Sequence, residues 1–372
     1  MRTETITYRS SVDGTSPLYM DVAYDDTKSN LPIVVVMHGY RGSRGDLSGT
    51  LQRLAEQGLF AAAPDMRGYG DSDGRRDSGG VEVMDIYDAI TCVKESFGNR
   101  VDGRNLNIMG YSGGGGNVFS CVVRFPDLFR CAVSFFGVSD YGYWYEHTEN
   151  PEVREQLEVD IGGNPQDVPD RYMARNSLLG AVNNPYTAFY LFWDEEESLC
   201  PPHFNREYYR RAQELGYTNV YPYESHPGDP RRWRHGYPED VPDLIAAEEY
   251  FLPGILAGRY PPPEMVPRGR LVVLGYVRTR NFSIWLGDGG NAVVECRYLW
   301  TDRERRFFFR RLSSDPEVRG RLWLSLEGMS FPVQVYRNDA LVEELSEGEE
   351  YTYGRFQLDD RFRFVSVEGA EA

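Results

Sequence analysis

The stretch NLNIMGYSGGGGNVFS, residues Asn105 to Ser120, sets four glycines directly behind a serine. Three readings compete. A phosphate-cradling loop of the GxxxxGK[ST] kind needs a lysine after its glycines, and none follows here. A dinucleotide fingerprint needs GxGxxG at the first strand-to-helix turn, with an acidic residue about 20 positions on. This stretch lies at the third strand of an alternating region and lacks that spacing. The pattern that fits is GxSxG, met by Gly110, Tyr111, Ser112, Gly113 and Gly114. An apolar run precedes it and a helical run follows, the strand–turn–helix setting the motif requires. Glycines beside the serine remove side chains that a sharp turn would crush together, leaving the hydroxyl exposed at the sheet's C-terminal edge. Gly115 and Gly116 exceed what the motif needs.

Outward from this turn, strand and helix alternate. TETITYRS and PLYMDVAY read as paired antiparallel strands around a DG turn. LPIVVVMHG, LFAAAPD, NLNIMG and FRCAVSFFG read as strands buried on both faces. DLSGTLQRLAEQ, VEVMDIYDAITCVKESF and GGNVFSCVVRF between them have helical spacing. Such alternation predicts a mostly parallel sheet with helices on both faces. It breaks over residues 138–186, an aromatic, polar, Pro/Gly-punctuated segment that reads as a helical insertion over one edge. It resumes with strand YTAFYLFW, helix PHFNREYYRRAQELG, strand TNVYPYES and helix PDLIAAEEYFLPGIL.

Prolines 261, 262, 263 and 267 then mark a domain edge. We read residues 1–258 as an α/β catalytic domain, 259–266 as a linker and 267–372 as a small all-β domain, a sandwich or barrel. In it, Gly287–Asn291 (GDGGN) reads as a hairpin turn, and Trp285, Trp300 and Trp323 read as core residues rather than sugar platforms. The domain could bind carbohydrate, dimerise the enzyme or wall the active site.

The chain has 372 residues with a formal net charge of −17, and Lys28 and Lys94 are its only lysines. An acidic chain with no basic block argues against nucleic acid or an anionic membrane as partner. Five cysteines without a CxxC pair or zinc spacing argue against a disulfide scaffold and a zinc finger. The N-terminus has no apolar signal core, and no run of about 18 apolar residues occurs. The expectation is a protein of the reducing cytoplasm, acting on a small-molecule ester or peptide, with a homo-oligomer left open.

An acyl-transfer serine needs an oxyanion hole, a base and an acid. The backbone N–H of Gly113 is one expected oxyanion donor. The other is Tyr40, just after His38-Gly39 on the loop behind an earlier strand. His38 comes too early to be the base if the order is serine, acid, histidine. His147 lies in the insertion and His203 opens a helix. His226 and His235 both lie between the last strand and last helix; we favour His235, on the loop feeding that helix. For the acid, Asp194, Glu195, Glu196 and Glu197 follow the penultimate strand, and all four qualify chemically.

These residues together resemble the α/β-hydrolase superfamily, and more narrowly its prolyl oligopeptidase-like branch. PDMRGYGDSDG (Pro64–Gly74) is similar to the D-x-R-G-x-G-x-S segment common there, and IGGNPQDVPDRYMARNSLLG resembles the branch's insertion. The resemblance covers about residues 1–257. It implies an α/β-hydrolase fold with a helical lid, a Ser–acid–His mechanism, esters or short peptides as substrates, and no metal or organic cofactor. Laid on WDEEESLCP, the family's HG..D..VP pattern puts the acid on Glu197, with Asp194 as fallback. Two departures stand out: glutamate replaces aspartate, and Trp193-Asp194 replaces His-Gly. The family's P.E.H pattern matches Pro222, Glu224 and His226, so the base stays open between His226 and His235. No substrate-filtering propeller is visible, and a non-catalytic binding protein on this fold is the alternative of another class.

Overall fold

The computed structural model describes residues 1–367. An eight-stranded sheet carries the N-terminal two-thirds of the chain. Its strands are β1 (Arg2–Tyr8), β2 (Leu18–Tyr24), β3 (Leu31–Met37), β4 (Phe60–Pro64), β5 (Val101–Tyr111), β6 (Cys131–Phe135), β7 (Ala188–Asp194) and β8 (Val220–Ser225). They are ordered β1-β2-β4-β3-β5-β6-β7-β8. The first two pair antiparallel with each other, as does β2 with β4, and every pair from β4 to β8 is parallel. The continuous apolar runs follow from this, since β3, β4 and β6 are covered on both faces.

Helices α1 (Ser48–Glu56), α2 (Glu82–Phe97) and α3 (Gly113–Arg124) alternate with these strands. Residues of α2 and α3 join a core on one face of the sheet, and α1 joins the core on the other. The insertion folds as α4 (Tyr141–His147), α5 (Pro151–Ile161) and α6 (Pro169–Met173). Asp140 caps α4 by accepting from the Gly142 and Tyr143 N–H groups, and Asn150 with Pro151 starts α5. Trp144, Leu157, Ile161 and Tyr172 anchor this lid on the α1 side of the sheet. After β7 comes α7 (His203–Glu214); after β8, the segment read as one helix is two, α8 (Asp243–Ala246) and α9 (Glu248–Leu256).

From Arg268 onward all elements are strands, hydrogen-bonded antiparallel in one ten-stranded sheet around its own apolar core. They are β9 (Arg268–Leu274), β10 (Tyr276–Arg278), β11 (Phe282–Leu286), β12 (Val293–Trp300), β13 (Glu304–Arg311), β14 (Arg319–Ser325), β15 (Val333–Arg337), β16 (Ala340–Leu345), β17 (Glu350–Gln357) and β18 (Arg361–Ser366). Gly287–Asn291 is not a hairpin turn. β11 pairs with β10 and β14, while β12 pairs with β9 and β13. The cause is a corner at Gly275, φ 77°, where an added Cβ would stand 1.9 Å from the Gly290 carbonyl oxygen. The glycine loop folds over that corner instead of closing a hairpin.

The two sheets share a packed boundary. Val272, Leu274, Tyr276 and Val293 belong to the same apolar cluster as α2 and α3. The Asn183 side chain mimics a strand edge, donating to the Val272 carbonyl at 2.8 Å and accepting from the Val272 N–H at 2.9 Å. Fully buried Arg124, at the end of α3, donates to the carbonyls of Leu274, Gly79, Gly80 and Ala174 and lies 4.8 Å from the Tyr276 ring centroid. The tryptophans divide: Trp300 packs on the inner core, whereas Trp323 alternates with buried Leu322 and Leu324 and so faces outward.

Candidate active site

Ser112 sits between β5 and α3 with φ 54° and ψ −120°, a conformation few non-glycine residues adopt. Its N–H donates to the Phe135 carbonyl, and its carbonyl accepts from Gly116. The turn is held in place by close approach on all sides. An added Cβ would meet the Gly114 carbonyl at 2.4 Å from Gly110, the Tyr40 N at 2.8 Å from Gly113, and the Met37 oxygen at 2.3 Å from Gly114. Gly115 needs the same freedom, because its Cβ would lie 2.8 Å from Gly137 Cα, and one on Gly116 would lie 3.1 Å from the Val138 oxygen. The glycine run is therefore the seam where α3 packs on the ends of β3 and β6.

That seam brings the main chain of Tyr40 against Gly113, and neither N–H has a protein acceptor among the described residues. The approach rests on His38, which is fully buried. Met66 N–H donates to its Nε2 at 3.0 Å, so Nδ1 carries the proton and donates to the Gly39 carbonyl at 2.9 Å. Burial lowers its pKa, consistent with this neutral form. Gly39 N–H in turn donates to the Tyr237 hydroxyl at 2.7 Å. The Tyr40 phenol bonds Ser78 Oγ at 2.7 Å and Asp160 of α5 at 2.9 Å, tying the loop to the lid.

The four acidic residues after β7 take four different roles. Asp194 is buried and bound by both sides of the Arg232 guanidinium and by Ser225 Oγ at 2.6 Å. Burial alone would raise its pKa, but Arg232, Ser225 and the Glu196 N–H outweigh burial and bring it down to about 2. Glu196 reaches the same arginine at 2.9 Å. Glu195 pairs with His226 Nδ1 at 2.5 Å, in a couple whose side chains are 38% and 51% exposed. That hydrogen bond raises the His226 pKa. Glu197 pairs with His235 Nδ1 at 3.1 Å, and its side chain is only 3% exposed. Glu197 Oε1 also accepts from the N–H groups of Leu199 at 2.7 Å and Cys200 at 3.1 Å. Burial opposes the charge, yet these bonds hold the carboxyl below its usual range. Asp194, the fallback acid, is committed to Arg232 and braces the two loops that carry Glu197 and His235.

Ser112 and the His235–Glu197 pair are joined by Cys200 and Phe136. The Ser112 hydroxyl touches Cys200 Sγ at 3.8 Å, and Cys200 N–H is bonded to Glu197. The Phe136 ring packs on the His235 ring with centroids 4.6 Å apart, and the residue before it accepts from Ser112 N–H. Among the described residues Ser112 Oγ makes no hydrogen bond to His235. The sequence carries no signal for Phe136, and it points to Cys200 only as the residue that, with Pro201, stands at the family's Val-Pro after the acid. His147 and His203 sandwich the Tyr143 ring, each at 3.8 Å. The Asp65–Ser72 segment is a brace: buried Arg67 binds Asp85 with two bonds, at 2.6 and 2.8 Å.

With this geometry in place, residues 46–228 match the profile of the prolyl oligopeptidase family. Over that segment the chain is similar to the prolyl oligopeptidase family. The match ends before His235. An uncharacterised peptidase, YtmA, of Bacillus subtilis is 29% identical over 127 residues, which are 34% of this chain and 48% of that protein. This hydrolase-fold chain thus spans about half the length of that curated relative. Among solved structures, the acylaminoacyl peptidase of Pyrococcus horikoshii superposes with TM-score 0.56 at 18% identity, covering 71% of this chain and 42% of its own. The Pyrococcus furiosus esterase Pf2001 superposes with TM-score 0.50 at 16% identity, covering 70% and 93%. Both likenesses speak to the fold of the α/β-hydrolase part.

Proposed function

We propose that the protein is a serine hydrolase that cleaves an acyl bond through an acyl-enzyme on Ser112. The observation that carries this is the pairing of His235 with buried Glu197 beside the strained turn that presents Ser112. In this reading Ser112 Oγ swings off Cys200, gives its proton to His235 Nε2 and attacks the acyl carbon. The negative charge on the carbonyl oxygen then meets the N–H groups of Tyr40 and Gly113, whose lack of other acceptors supports that role. Glu197 fixes the imidazole with Nδ1 protonated and stabilises the imidazolium. His235 returns the proton to the leaving group, and water repeats the cycle to free Ser112. The exposed His226–Glu195 couple has the same chemistry but lacks a shielded setting, so it takes the role of a surface pair.

The substrate is a carboxylic ester or a short aminoacyl amide, bound between the oxyanion loop and the aromatic lid. We place the reaction in a reducing cytoplasm, on the strength of five free cysteines. Assays of acyl p-nitrophenyl esters and aminoacyl p-nitroanilides, side by side, test the reading. Turnover of either, abolished by Ser112→Ala, supports it. Turnover of neither, or turnover that survives Ser112→Ala, refutes it and leaves a binding protein on a hydrolase fold.

A further inference from the structure

The face of the C-terminal sheet turned away from its own core meets the hydrolase part at buried Tyr276 and half-buried Trp285, and it holds a second set of aromatic and polar groups. Alternation along β10, β11 and β14 sends Val277, Ile284 and Leu322 into the core, and sends Tyr276, Trp285 and Trp323 to the other face. Register places Trp285 between Tyr276 and Arg321, and Trp323 between Ser283 and Thr352. The Tyr276 and Trp285 rings stack 4.6 Å apart at 8°. Trp323 is held by its Nε1–H, which donates to Glu350 at 2.8 Å. These rings line a cleft of about 350 Å³ whose other wall is Ser11, Val12 and Met84 of the hydrolase part.

Polar groups of both signs ring the same cleft. Arg278 lies 4.3 Å from the Tyr87 ring centroid and Arg321 lies 6.0 Å from that of Trp285. Among the described residues no hydrogen bond or ion pair engages either guanidinium, the Asp288 carboxylate, or the Ser283 and Thr352 hydroxyls. Flat aromatic surface with unspent donors and acceptors at its edge suits one ligand chemistry well. A pyranose has an apolar C–H face that packs on an aromatic ring, and hydroxyls that both donate and accept at its rim. The volume is in the range of small-ligand sites, and the position at a domain boundary is a common one for them. A polyanion that stacks bases is disfavoured by the chain's net charge of −17 and by Asp288 in the wall.

We propose that this cleft binds a short neutral oligosaccharide, one sugar stacking on Trp323 and its hydroxyls bonding Arg321 and Asp288. The site is separate from Ser112 and does not depend on the reaction proposed there. The test is titration of the full chain with cellohexaose, xylohexaose and maltohexaose, and with an adenine hexanucleotide, by calorimetry and tryptophan emission. At least one hexasaccharide is expected to saturate below about 10 mM, with about tenfold or greater weakening in both Trp323→Ala and exposed Arg321→Ala. Melting curves check that both variants fold. No saturation by any of the three sugars, binding that both substitutions leave unchanged, or binding of the hexanucleotide alone overturns the proposal.

Discussion

Replacing Glu197 by glutamine separates charge from shape at the point where the site is most exacting. Glu197 Oε1 takes the N–H groups of Leu199 and Cys200, at 2.7 and 3.1 Å, and an amide oxygen can keep both bonds. The atom facing His235 Nδ1, now 3.1 Å away, then becomes an NH₂ donor. The imidazole must accept at Nδ1, so its proton moves to Nε2, the nitrogen that has to receive the serine proton. An inverted tautomer of this kind costs about 10⁴-fold in kcat, or roughly 5 kcal/mol of transition-state stabilisation. The fold loses little, because two of the three hydrogen bonds and the buried volume are retained. The control is Glu195→Gln, which alters an exposed pair worth about 0–1 kcal/mol and leaves turnover within about threefold. The assay is kcat and KM on the better substrate, with melting temperature measured in parallel. If Glu197→Gln keeps turnover within about tenfold while Glu195→Gln loses it, the assignment of acid and base is wrong.

Other perturbations test the frame around the site. Gly115→Ala drives a Cβ to 2.8 Å from Gly137 Cα, and a main-chain contact has no rotamer to yield; we expect a loss of about 1–3 kcal/mol in urea unfolding, and an unchanged midpoint would contradict the seam. Arg124→Met removes a donor from the buried carbonyls of Leu274, Gly79 and Ala174 at the boundary of the two sheets, while the Gly80 carbonyl keeps the Val83 N–H and the Tyr276 hydroxyl. Its expected cost is at least about 3 kcal/mol, read by urea unfolding, and a cost below about 1 kcal/mol would mean the boundary does not depend on this residue. Asp194 has a folded pKa of about 2, below its unfolded value near about 3.9, so its stabilisation is fully present above about pH 4 and is lost as pH falls toward 2. Asp194→Asn should therefore lower the melting temperature at neutral pH and flatten its fall between about pH 4 and 2; parallel curves would refute the linkage.

The α/β-hydrolase part was legible because its signals are local. Runs such as Ile33–Met37 and Phe60–Ala63 are apolar on both faces, and the GxSxG turn is spelled out in consecutive residues. The roles of Asp194 through Glu197 were not legible in the same way. Four neighbouring carboxylates differ only in what arrives from the loop after β8: Arg232 for Asp194 and Glu196, His226 for Glu195, His235 for Glu197. Sequence offers no measure of that loop's path, so His226 and His235 look alike until their exposure is known. The family pattern did point to Glu197, through the Cys200-Pro201 that follows it. The β-rich part misled in two places for one reason, namely that strand neighbours are set by distant pairing. Gly287–Asn291 has hairpin chemistry, but the corner at Gly275 sends β11 to a different partner. Trp323 has the size of a core residue, but its register puts it on the outer face.

The central claim is that Ser112 is a nucleophile activated by His235 and not by His226. A fluorophosphonate probe measures this directly, since it forms a covalent bond only with an activated serine. Intact mass and peptide mapping should show one adduct per chain, on Ser112, in the unaltered protein and in His226→Ala. Labelling should vanish in Ser112→Ala and slow by at least about 10³-fold in His235→Ala. An unaltered protein that does not label, or a His235→Ala protein that labels at the original rate while His226→Ala does not, would contradict the account.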